Sequence, residues 1–246
     1  MEDCNAAILM NPNFARTYKR LFKAHVALGN ISEAKEALHK AVSLEQNDPS
    51  NKKDTELMET VEHQSQMIEK FGGGDIGMSE DQDFEKAANY CTSILQNCPS
   101  SIKFAGLKVK YLLLSNKLSE ANEYSQELMR VSFMSKSVDV QVWRGRVLIY
   151  NGQEAKGKEF LMDALRNDPE NREARLAVRA IKSSASIKTD AGNLFKENKL
   201  AEAIAKFDEA LALDPLNLTY NATILLNKAI ALVKQKKNDD ALKALN

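Results

Sequence analysis

Apolar positions recur along this chain with a helical period. In "ARTYKRLFKAHVALGNISEAKEALHKAVSL", Ala15 to Leu44, they return every three or four residues, pause at "LGN", and resume. That spacing lays one apolar stripe along each of two helices joined by a tight turn. No run shows the two-residue alternation of a half-buried strand over any length. The five prolines stand in similar places: Pro12 in "LMNPN", Pro49 in "QNDPS", Pro99 in "QNCPS", Pro169 in "RNDPE" and Pro215 in "ALDPL". Each follows an amphipathic run, and proline cannot continue a helix, so each reads as a helix stop.

Reading back from the prolines, the helix-turn-helix unit recurs. One copy is Ala15 to Leu44, with small residues at Ala34 and Ala41. A second runs from Val138 to Pro169, turning at "YNGQ", with Gly145, Gly157 and Ala164 at small positions. A third, "KTDAGNLFKENKLAEAIAKFDEALALDP" from Lys188, supplies Ala203, Phe207 and Ala210. Four plus three residues is about two helical turns, so small, bulky and small positions share a stripe. The small residues let paired helices approach closely and the bulky one fills the gap beside them. A hairpin covers only one face, so neighbouring pairs must stack.

The remaining segments are less regular. Phe84 to Pro99 reads as a second helix with Ala87 at its small position. Ile102 to Val131 keeps Ala121, and the last unit, from about Ala222, keeps Ala229 and Ala241. The run 51–71 is a polar helix longer than one repeat helix, and "GGGDIGMSEDQD" after it has the composition of a flexible linker. Asn171 to Asn198 is a second long helix. The expected organisation is therefore an end block with its connecting helix at 1–71, a Gly-rich acidic loop at 72–83, degenerate middle repeats at 84–170, and a new block at 171–246.

This pattern resembles the tetratricopeptide repeat, whose period is about 34 residues. The stretches 15–48, 138–171 and 184–217 carry its small, aromatic and proline positions. The resemblance implies an all-α superhelical solenoid, broken by the Gly-rich loop, with the small and aromatic positions serving as core. Many such domains hold the acidic C-terminal tail of a heat-shock chaperone in a carboxylate clamp. Carboxylates need converging charge-assisted donors: Lys and Arg supply charge, and Asn amides fix orientation. Residues four apart on a helix lie about 40° apart around its axis.

By that resemblance, Arg16 and Arg20 occupy the second and sixth positions of a well-formed repeat, where the clamp's third repeat carries its basic pair. Lys188 and Asn193 compete for one phase. They are five residues apart, about 140° around a regular helix, and cannot both enter one groove. Counting back from Pro215 keeps Lys188, whereas Gly192-Asn193 is the family's dipeptide with Thr189 in place of its Lys. Asn227 falls where the second repeat's Asn belongs.

The order of features is similar to the middle of a DnaJ-type co-chaperone of the subfamily-C kind, which has two repeat blocks and a C-terminal J domain. The resemblance implies partners among the seventy- and ninety-kilodalton heat-shock chaperones. It also implies that the array begins and ends in mid-repeat. There is no His-Pro-Asp triplet around His25, His39 or His63, so no J-domain function is assigned.

Composition narrows the rest. Thirty-four basic residues against thirty-four acidic ones argue against a general nucleic-acid or membrane-surface binder. No apolar run approaches the ~20 residues that span a bilayer, and the start lacks a secretory core, so the cytoplasm, with access to the nucleus, is the expected location. Asn217 and Asn221 match glycosylation acceptors that a cytosolic chain would not have modified. Three cysteines make no disulfide framework. Cys91 and Cys98, seven apart, read as packing, as do His25 and Trp143. No nucleotide loop, metal spacing or nucleophile elbow is present. The expectation is a scaffold without cofactor or catalysis. It either clamps chaperone tails or holds an internal segment of another partner.

Overall fold

The computed structural model describes residues 1–73, 82–214 and 217–245. Among them every regular element is a helix. The chain divides into two compact units, Met1–Lys117 and Leu118–Asn246. The division falls inside the run 84–170 that the sequence reading kept together. Of the Gly-rich stretch 72–83, residues 74–81 lie outside the described residues, as does Pro215.

The first unit contains α1 (Glu2–Met10), α2 (Ala15–Leu28), α3 (Ile31–Leu44), α4 (Ser50–Gly72), α5 (Phe84–Asn97) and α6 (Ile102–Leu114). Helices α2 and α3 form one antiparallel pair, α4 and α5 the next, and α6 packs on α5. Pro12, Pro49 and Pro99 all stand between helices, and Pro49 is itself the residue from which α4 starts. Phe22, Ala34, Ala41, Val61, Ile68, Cys91 and Phe104 are the buried centre. Helix α2 stops at Gly29, whose φ of +76° suits glycine. A Cβ there would also run into Ser101 and Phe104 of the next layer. The long helix α4 closes at Gly72 against the Tyr111 ring, and the Asp83 N–H then donates to the Phe71 carbonyl at 3.0 Å.

The second unit contains α7 (Leu118–Met129), the single turn α8 (Ser132–Ser135), α9 (Val138–Tyr150), α10 (Glu154–Asn167), α11 (Arg172–Lys196), α12 (Leu200–Leu213), α13 (Leu218–Lys234) and α14 (Asn238–Leu245). The pairs are α9 with α10, α11 with α12, and α13 with α14, and α12 also packs on α13. Helices α9 and α10 approach so closely that a Cβ at Gly145 would lie 2.9 Å from the Gly157 carbonyl oxygen. Asn171 caps α11 by accepting from the Ala174 N–H, and Asn217 caps α13 through the Tyr220 N–H. Ile187, Ala191, Ala203, Phe207, Ala210, Ile224 and Ala231 form one apolar core beneath α11, α12 and α13.

Trp143 is buried, as expected of a packing residue, and the Arg146 guanidinium sits 5.1 Å from its ring centroid. Cys91 and Cys98 are fully buried free thiols. Burial pushes Cys91 up to about 12 and Cys98 up to about 11.

Candidate peptide-binding site

The five candidate residues fall into two groups, one in each unit. In the first unit, Arg16 and Arg20 are exposed and one turn apart on α2. Among the described residues neither guanidinium is held in an ion pair. Lys23, seven residues beyond Arg16 and also exposed, extends the same basic stripe. The sequence reading missed it, although its spacing continues that of the arginines. Lys19 on the adjoining face is different. It is buried, with Nζ 2.6 Å from Asp48 Oδ2, and it donates to the Ser50 hydroxyl. That contact joins α2 to the start of α4 and holds the Asp48 carboxyl down at about 2.

In the second unit the phase of α11 decides the site. The helix is unbroken through Lys188 and Asn193. Helices α11 and α13 run side by side in the same direction. At one end the Tyr220 hydroxyl donates to the Ser184 carbonyl at 3.0 Å. At the other, Lys234 Nζ lies 4.8 Å from the Phe195 ring centroid. Ser184 and Phe195 therefore mark the side of α11 that faces α13. Lys188 lies within about 40° of that stripe, whereas Asn193 lies about 180° from Ser184. On α13, Tyr220, Asn227 and Lys234 follow one another at seven-residue steps, each about 20° from the last. Lys188, exposed, and Asn227, half-buried, thus flank one crevice. Ile187, Ala191, Ile224 and Ala231 belong to the apolar core beneath these helices.

Asn193, exposed, stands on the side of α11 away from Ser184 and α13. The buried small residue is Ala191, fully enclosed, and not Gly192. The position one turn beyond Lys188, where an amide would complete the pattern, is Gly192, and a Cβ there would meet nothing within 4 Å.

Beside the crevice, a buried polar joint fixes α13 against α9 and α11. Arg146 Nη1 is 2.9 Å from Glu173 Oε2, and its Nη2 donates to the Tyr150 hydroxyl at 3.0 Å. Tyr150 in turn donates to Asp214 at 2.9 Å. The Thr219 hydroxyl donates to the Tyr150 carbonyl at 2.6 Å, and the Asn221 amide to the Asp214 carbonyl at 2.9 Å. Burial opposes charge on Arg146, but Tyr150, Asp214 and Glu173 outweigh it and hold the guanidinium above its ordinary pKa. Burial raises the Tyr150 phenol.

Family models described as tetratricopeptide repeat match residues 23–48 and 191–246. The chain carries tetratricopeptide repeats. Its helix pairs have the architecture of the P58(IPK) TPR domain, with a TM-score of 0.56 at 13% identity over 99% of this chain and 66% of that one. That likeness shows the fold. Among curated proteins, DnaJ homolog subfamily C member 7 of Homo sapiens is 27% identical over 98% of this chain and 47% of its own length. DnaJ protein P58IPK homolog B of Oryza sativa subsp. japonica is 25% identical over 97% of this chain and 49% of its own. The chain spans about half the length of these relatives. In repeat terms, α11 and α13 are the first helices of consecutive repeats, and the polar joint ties both to α9, the first helix of the pair before them.

Proposed function

We propose that this tetratricopeptide-repeat chain is a non-catalytic co-chaperone scaffold that holds the acidic C-terminal tails of heat-shock chaperones. What supports the proposal is helix phase: the Tyr220–Ser184 and Lys234–Phe195 contacts turn Lys188 of α11 and Asn227 of α13 towards the crevice between the two helices. An ammonium and an amide are the two donor types that fix a terminal carboxylate, one by charge and the other by direction. Arg16 and Arg20 offer a second basic pair in the first unit. The DnaJ names of the relatives favour chaperones of the seventy- and ninety-kilodalton classes as the source of the tails, met in the cytosol.

The test is a titration of the full chain with a labelled acidic peptide ending in a free carboxylate, and with the same peptide amidated. The free acid is expected to bind about tenfold or more tightly than the amide, with affinity falling as salt rises. Equal affinity for both would sink the clamp. In that case the repeats hold an internal segment of their partner.

A further inference from the structure

The side of α11 turned away from α9 is strongly basic. Arg172, Arg175, Arg179 and Lys182 project from it, all exposed, within about 80° of one another and over roughly 15 Å of helix. They line a groove of about 700 Å³ between α11 and the end of α10. Its apolar floor is Leu165, Leu176 and Val178, and Leu176 is 49% exposed. The groove contains one carboxylate, Glu170, which lies 2.6 Å from Arg175 in a pair exposed on both sides. Four cations facing one acid is a local imbalance in a chain with no net charge. Glu173, next to Arg172 in sequence, is turned the other way and is held by Arg146.

We propose that this groove is a docking site for an acidic segment of a partner protein carrying one apolar anchor, separate from the crevice at Lys188. Charge complementarity selects the acid. The exposed Leu176, beside the basic stripe, gives the anchor an apolar seat, which a purely electrostatic surface would lack. Nucleic acid fits the same cations less well, because no aromatic side chain lines the groove to stack a base. The Arg175–Glu170 pair is exposed and weak, so an incoming carboxylate can displace Glu170 from Arg175 at little cost.

The probe is a short labelled peptide of Asp and Glu around a single Leu, acetylated and amidated so that it has no terminal carboxylate. Fluorescence anisotropy with the full chain reads its binding. R175E/R179E is expected to weaken it about tenfold or more, and R179A/K182A severalfold. Replacing the peptide Leu by Ser, or making L176S, should cost severalfold as well. R16E/R20E and K188A should bind as the parent does, which separates this site from the clamp. Circular dichroism melts check that each variant stays folded. The proposal is overturned if the parent does not bind, if R175E/R179E binds undiminished, or if K188A abolishes binding. It is also overturned if a single-stranded oligonucleotide binds more tightly than the peptide.

Discussion

Tyr150 donates its hydroxyl hydrogen to Asp214 at 2.9 Å, joining α9 to the end of α12 across 64 residues of sequence. The same hydroxyl accepts from Arg146, so it bridges a buried cation and a carboxylate. Y150F would leave Arg146 and Asp214 3.9 Å apart with no group between them. Loss of a buried hydrogen-bonding partner costs about 1–3 kcal/mol. The variant should lower the free energy of unfolding by that amount, read as a lower urea midpoint at unchanged slope, and an unchanged midpoint would show the joint to be dispensable.

The crevice makes a prediction in both directions. K188A and N227A should each weaken the free-carboxylate peptide severalfold or more, while N193A should have no effect. G192N should tighten it, because the new amide would lie one turn beyond Lys188 in open space. It should not cost stability, since Asn is a better helix former than Gly. Titration of the four variants with one peptide separates these outcomes.

Acid should act through Asp48. Its carboxyl is held at about 2 by the hydrogen bond from Lys19, with the Ser50 N–H and hydroxyl contributing. A carboxylate depressed in the folded state adds stability above its unfolded value, near 3.8, and loses it as pH falls through 2. The parent should therefore shed stability between about pH 4 and 2. D48N should lack that component of the slope when melting temperatures are compared across the window.

The cysteines should behave oppositely towards base. Cys91 and Cys98 are neutral in the folded chain up to about 12 and 11, against 9.0 when free. A raised thiol pKa adds stability below its unfolded value and withdraws it as pH climbs through the folded one. At pH 8 a thiol reagent should modify Cys4, half-buried in α1, well before the other two. Rapid modification of all three in the native protein would contradict the buried placement.

Much of the fold was legible because it rests on local spacing. The repeat spacing puts Ala34, Ala41, Ala203 and Ala210 at small interior positions, and all four are fully buried. The length of α11 was legible from a run with no proline between Asn171 and Asn198, which Gly192-Asn193 does not interrupt. The phase of its end was not. Ala191 and Gly192 are both small, so either could serve as the residue against which the next helix packs. Only the neighbours Phe207 and Ile224, brought in by α12 and α13, decide between them. The polar joint was illegible for a related reason. Arg146, Glu173 and Asp214 meet only after two helix pairs have stacked, and nothing in their sequence separation announces it.

Because α11 is a single helix, Arg179 and Lys188 sit on opposite sides of one rod, about 14 Å apart along its axis. Two occupants could attach there at once without colliding. A tether joining them would have to wrap half the circumference of the rod, so linker length, more than the strength of either attachment, would set the avidity of a bivalent guest.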